Sequence, residues 1–201
     1  MIAAILAGGE NTRIPVPKGL LVIEGKTIVE RSLDVLTRVF DRVVISTNAP
    51  EYYFRFGVPL IGDVRRERGP MTGVFSVFAA TEADALFVVA CDMPFPSEGL
   101  IRSLVNTFEQ QRPSGEPIDA VIPLFEGKPE PLFGIYGARV RDRMEALISE
   151  GKSGLNDLLP VITVAYVDEA AVRAVDPLCR SFVNLNTRED YEKIGGTLCL
   201  G

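Results

Sequence analysis

The 201-residue sequence contains no histidine, and its three cysteines, Cys91, Cys179 and Cys199, are odd in number and widely separated. Without histidine, His-dependent nucleophilic triads and the usual imidazole metal sites are excluded. The cysteines fit neither a disulfide framework nor a zinc site. Long apolar runs are also missing. None exceeds seven residues, far short of a membrane span, and no basic region or cleavage site of a signal peptide marks the N-terminus. The expectation is a cytoplasmic protein with no membrane partner. Nor is positive charge in excess: 21 Lys and Arg against 27 Asp and Glu leave a net charge of −6, so the broad basic footprint of a nucleic-acid binder is absent. The remaining working chemistry belongs to carboxylates, lysine, arginine, amides and backbone N–H groups.

At 47% hydrophobic residues the chain is long enough for one well-buried core. A single domain over residues 1–201 is expected, with a structurally distinct C-terminal third. Short apolar runs rich in β-branched residues recur at 2–6, 42–47, 86–91, 119–125 and 162–167. They are continuous rather than alternating, which predicts strands buried on both faces: an α/β fold with a mainly parallel sheet between two helix layers. The spacing of Ile28, Val29, Leu33, Leu36, Val39 and Phe40 predicts a helix over 27–40, opened by a Thr27/Glu30 capping box. Further helices are expected over 71–81, 98–111, 138–150 and 188–193.

Several strand ends carry residues with chemical potential. Gly8-Gly9 follows the first strand at its carboxyl end, where ligand crevices form in open α/β sheets. Consecutive glycines admit a close ligand and turn N–H groups inward as an anion nest, with a plain tight turn as the alternative. Arg13 and Lys18 occupy the same loop between prolines, and fixed cations there suit a transferring phosphate; solvated surface charges are the other reading. Asp92, after the run "ALFVVAC" and cut off by Pro94, is one carboxylate at the same sheet edge, suited either to Mg²⁺ or to capping the next helix. Asn48 and Asp63 end two further strands. "RRERGPMTG" (65–73) places three arginines at a turn, where they either meet phosphate or stay solvated. Gly25-Lys26-Thr27 resembles the tail of a P-loop, but the required first glycine is replaced by Leu20, so a turn followed by a helix cap is expected.

Together "LAGG…R…K", "GPMTG", "CDMP", "EPLFGIY" and "FVNLNTRED", in this order and at these separations, resemble the molybdenum cofactor guanylyltransferases, the MobA-type nucleotidyltransferases. The resemblance covers essentially the whole chain. It implies a three-layer, Rossmann-like nucleotidyltransferase fold and transfer of GMP from Mg-GTP to molybdopterin, with release of pyrophosphate. Residues up to about 110 would bind the nucleotide and the C-terminal part the pterin. Carried over by position, Leu6, Ala7, Gly8 and Gly9 would contact the nucleotide, and Asn48 and Asp63 would lie along the guanosine. Lys18 would hold phosphates, with Arg13 at the family's Arg-to-Lys spacing, Asp92 would bind Mg²⁺, and Asn184 and Asn186 would lie toward the pterin. The sequence departs from the family where Pro15 and Pro17 stand in place of a glycine and an acid. Sugar-phosphate or cytidylyl transfer on the same fold is one alternative; a catalytically silent nucleotide-binding or cofactor-binding protein is another.

Overall fold

Residues 1–8, 17–111 and 118–194 are described by the structure, a computed structural model. Ten strands are present among them: β1 (Ile2–Leu6), β2 (Val22–Ile23), β3 (Lys26–Thr27), β4 (Val43–Ser46), β5 (Leu60–Ile61), β6 (Ala85–Ala90), β7 (Ala120–Phe125), β8 (Lys128–Pro129), β9 (Phe133–Gly137) and β10 (Val164–Val167). The α-helices are α1 (Ile28–Leu36), α2 (Pro70–Thr81), α3 (Glu98–Gln111), α4 (Arg141–Ser149), α5 (Glu169–Val175) and α6 (Arg188–Lys193).

The main sheet runs β10-β7-β9-β6-β1-β4-β5, with β8 paired to β7 outside that line. β1 is parallel to β4 and β6, β4 to β5, and β7 to β10; β9 is antiparallel to both neighbours. The expected mainly parallel sheet is therefore present, with one reversed strand inserted near its centre.

Strand alternation explains the three layers. Ala3 and Ile5 of β1, with Phe87 and Val89 of β6, face a core completed by Val29 and Leu36 of α1 and Leu100, Ile101 and Leu104 of α3. Ile2, Ala4 and Leu6, with Leu86 and Val88, face the other side, against α2 and α4 through Met71, Val74, Phe78, Met144 and Leu147. A strand buried on both faces needs apolar residues at every position, which is why these runs do not alternate. Each fully buried Ile, Leu or Phe contributes roughly 1.5–3 kcal/mol.

A third, smaller cluster joins residues 21–28 to residues 185–191. Leu21, Ile23 and Ile28 pack with Leu185 and Tyr191, and the Tyr191 hydroxyl donates to the Val22 carbonyl at 2.5 Å. The β2–β3 hairpin turns through Glu24 and Gly25, both at positive φ, as a two-residue turn requires. Thr27 then caps α1 reciprocally with Glu30, so Gly25-Lys26-Thr27 forms the expected turn and cap. The helix ends at Leu36, short of the predicted residue 40. Arg38 and Val39 donate three residues back, to Val35 and Leu36, and tighten the chain out of α-geometry.

Candidate active site

The sheet topology selects one crevice. From β1 the chain moves outward to β4 and β5, then crosses to place β6 on the other side of β1, so the strand order reverses between β1 and β6. In such sheets ligands bind beyond the carboxyl ends at this point. The Cys91 amide donates to the Leu6 carbonyl at 3.0 Å, carrying the β1–β6 pairing to the strand tips. Leu6 is buried, Ala7 is tied to β4 through its amide and the Ser46 carbonyl at 2.8 Å, and Gly8 is exposed. Gly9 and Arg13, with Pro15, lie outside the described residues.

Asp92 stands just beyond β6. The next helix, α3, begins only at Glu98, and its first turn is met by Ser97, whose hydroxyl accepts from the Leu100 amide at 3.3 Å. Asp92 is therefore no helix cap. Instead its Oδ2 accepts from Lys18 Nζ at 3.0 Å, and Lys18 Nζ also donates to Asn186 Oδ1 at 2.8 Å. Three segments meet at this ammonium: the short 3₁₀ turn Lys18–Leu20, the tip of β6, and the irregular stretch before α6. The Lys18 and Asp92 side chains are only 26% and 20% exposed, so their attraction is screened less than that of a surface pair.

Close packing holds Lys18 in place. A Cβ on Gly19 would stand 2.9 Å from Val29 Cγ2 and 3.3 Å from both Cys91 Cβ and the Tyr53 hydroxyl. Only glycine lets this turn press so closely against the core. Burial, reinforced by the Asp92 charge, pushes the Cys91 thiol up to about 12, which makes it a packed apolar residue rather than a nucleophile at neutral pH. Burial likewise raises the Tyr53 phenol above its ordinary range.

Asn48 and Asp63, at the tips of β4 and β5, form a second polar pair on the same edge. Asn48 Nδ2 donates to Asp63 Oδ2 at 2.6 Å and the Asp63 amide donates to Asn48 Oδ1 at 2.8 Å. Asp63 Oδ1 and the remaining Asn48 proton face no hydrogen-bond partner among the described residues. Of the arginines that follow, Arg65 pairs with Glu145 of α4 and lies over the Phe75 ring. It is thus tied to a structural partner, whereas Arg66 and Arg68 are exposed.

The two asparagines separate in role. Asn184 Nδ2 donates to the nearby Phe182 carbonyl at 3.3 Å, while Asn186 reaches Lys18. Glu130 lies on this edge as well, without a strand-end pattern to mark it. Its turn is held by four hydrogen bonds: the Glu130 amide donates to the Pro123 carbonyl, the Tyr136 hydroxyl to that of Pro131, the Ala90 amide to that of Leu132, and the Phe133 amide to that of Glu130. This puts Glu130 at the carboxyl edge of β6, where burial, with Glu126 nearby, raises its carboxyl above the usual range. "EPLFGIY" was the only signal for it.

Among the described residues no three acidic or cysteine side chains gather into a closed metal cage, and no helix is long and apolar enough to cross a membrane. The arrangement suits phosphate chemistry: a cation and a carboxylate at the switch point, behind a glycine at the end of β1, with a polar pair farther along the same edge.

Comparison with known proteins agrees with this architecture. Residues 3–170 match the family model for a MobA-like NTP transferase domain. A probable molybdenum cofactor guanylyltransferase of Peptoclostridium acidaminophilum is 30% identical over 191 residues, covering 95% of this chain and 86% of the relative. The molybdenum cofactor guanylyltransferase of Desulfosudis oleivorans is 30% identical over 198 residues, covering 98% and 95%. Among solved structures, the molybdopterin-guanine dinucleotide biosynthesis protein A of Archaeoglobus fulgidus superposes with a TM-score of 0.82 at 26% identity over 96% of each chain. A match of this extent to the family model, with relatives similar over nearly their full length, places the chain in the MobA-like NTP transferase family.

Proposed function

We propose that the protein transfers GMP from GTP to molybdopterin carrying molybdenum, forming the guanine dinucleotide cofactor and releasing pyrophosphate. The observation that carries this reading is the Lys18–Asp92 pair at the β1–β6 switch point, in a chain about 30% identical to guanylyltransferases over nearly its full length. An oxygen of the acceptor's terminal phosphate attacks the α-phosphorus of GTP; the new P–O–P link forms as the bond to the β-phosphate oxygen breaks. The acceptor phosphate is mostly ionised at neutral pH, so no base need remove a proton and the absence of histidine is compatible with the reaction. What the site must supply is alignment and charge compensation.

Lys18 can provide a fixed positive charge to the phosphates, and the Gly8 region admits their close approach. Asp92 would hold Mg²⁺ delivered with the nucleotide. The donor set fits that ion: one carboxylate whose Oδ1 has no hydrogen bond among the described residues, with phosphate oxygens and water completing the usual octahedron. Bound there, Mg²⁺ would offset charge on the α-phosphate and the departing pyrophosphate. Asn48 and Asp63 would lie along the guanosine, Arg13 and Gly9 would belong to the phosphate loop, and Asn184 would lie on the pterin side. The reaction belongs in the cytoplasm, with GTP and molybdopterin as its partners.

The test is a panel of GTP, CTP, ATP and UTP with Mg²⁺ and molybdopterin, read as dinucleotide product and pyrophosphate. Product from GTP alone, dependent on both substrates, is expected. Efficient turnover with a sugar 1-phosphate in the absence of pterin would overturn the assignment.

A further inference from the structure

The Lys18 ammonium has three protons to donate. Two are committed, to Asp92 Oδ2 at 3.0 Å and to Asn186 Oδ1 at 2.8 Å. With two donors anchored on separate segments of the chain, the third is available to a phosphate oxygen. The two anchors differ in kind. Asp92 offsets the lysine's charge, whereas the Asn186 amide accepts a hydrogen bond and leaves that charge intact. A neutral acceptor is therefore the group that orients the cation without weakening its pull on an anion.

Asn186 has an exposed side chain on a backbone that is held by neighbouring groups. Its amide donates to Asp190 Oδ2 at 3.1 Å, and the Thr187 amide donates to the same oxygen at 2.9 Å within the capping box that opens α6. The preceding residue, Leu185, is buried in the cluster shared with the β2–β3 hairpin, and its amide donates to the Asp92 carbonyl at 3.0 Å. The same short stretch thus registers on the backbone of Asp92 and on the side chain of Lys18.

We propose that Asn186 is a positioning residue for Lys18: through its amide oxygen, the C-terminal segment sets how tightly the site holds the nucleotide's phosphates before any acceptor binds. This inference rests on the reading of the site as a nucleotidyl-transfer centre. It assigns Asn186 to the nucleotide half of the reaction rather than to pterin contact alone.

The experiment measures Mg-GTP binding to the full chain by titration calorimetry with no molybdopterin present, at several salt concentrations. Asn186→Ala is expected to weaken binding about tenfold, the order of one charge-assisted hydrogen bond, and to reduce the salt dependence because the cation is no longer held toward the phosphates. Lys18→Ala combined with Asn186→Ala should bind no more weakly than Lys18→Ala alone, since both remove one device. Should the alanine variant unfold, Asn186→Asp keeps the side-chain size; its added charge offsets the lysine, and weaker Mg-GTP binding is again expected. Wild-type binding with unchanged affinity in Asn186→Ala or Asn186→Asp, or additive losses in the double variant, would overturn the proposal while leaving the transfer reaction standing. A wild-type protein that binds no Mg-nucleotide would overturn both.

Discussion

The two sides of β6 are built on different rules. Toward β5 every neighbouring pair, β6–β1, β1–β4 and β4–β5, is parallel, and the strand tips bring Leu6, Asn48, Asp63 and Asp92 to one edge. Toward β10 the reversed strand β9 lies between β6 and β7, so its beginning, not its end, reaches that edge and delivers the Glu130 turn there. A parallel strand offers its C-terminal loop to the ligand face; a single antiparallel insertion lets a residue that precedes a strand reach the same face. The parallel side carries the cation, the carboxylate and the polar pair. On the reversed side, what reaches the edge is a rigid, half-buried turn.

Substitutions can separate the two sides. The largest effect is expected for Asp92→Asn on the parallel side: a fall in turnover of about 10²–10³-fold, as for other losses of transition-state charge stabilisation, with an unfolding midpoint close to the wild type. Pyrophosphate release and urea denaturation would report the two quantities. A comparable loss of stability would mean that the pair with Lys18 is chiefly structural.

On the reversed side the reverse balance is expected. A Cβ on Gly134 of β9 would stand 2.5 Å from Ile122 Cδ1 and 3.0 Å from the Val121 carbonyl. Gly134→Ala should therefore destabilise the fold by about 1–3 kcal/mol, the usual cost of overpacking, while turnover per folded molecule stays near normal. Gly19→Ala joins the two outcomes. The crowding against Val29, Cys91 and Tyr53 should cost about 1 kcal/mol and raise the KM for GTP several-fold as Lys18 is displaced, measurable by melting and steady-state kinetics together.

The smallest effect concerns Glu130. Its carboxyl is raised by burial in the fold, whereas in the unfolded chain it ionises near its ordinary value of about 4.3. The protonated form is favoured in the native state, so its stabilising contribution is fully present below the unfolded value and is lost as pH rises through the raised one. Glu130→Gln should accordingly match the wild type in acid and exceed it slightly in melting temperature at neutral pH. Equal melting temperatures at all pH values would show that the turn relaxes to solvate the charge.

Legibility follows the same division. Runs such as "IAAIL" and "ALFVVA" announce strands buried on both faces, and "TIVE" announces a capped helix, because local pattern and burial agree there. β9 has no such signal: "FGIYG" carries two glycines in five residues, a weak strand by propensity, and it becomes one because both neighbours supply hydrogen bonds. Helix α5, only seven residues long, is similarly held by its surroundings, through Val172 in the core and the Asp168 cap. Asp92 reads equally as a helix cap or a ligand group in the sequence, and only the five residues between it and α3 separate the two.

The sequence by itself determined the layered α/β class, the strand tips at which polar residues would lie, and the histidine-free chemistry they must use. These depend on spacing within a few residues, where the backbone's geometry leaves little choice. Only the tertiary structure decided that Lys18 and Asn186, 168 residues apart, share one hydrogen bond, and that a reversed strand brings Glu130 to the edge that holds Asp92. The first meeting arises from packing residues 21–28 and 185–191 into one apolar cluster and the second from the antiparallel pairing of β9; no local pattern records which distant partner completes either.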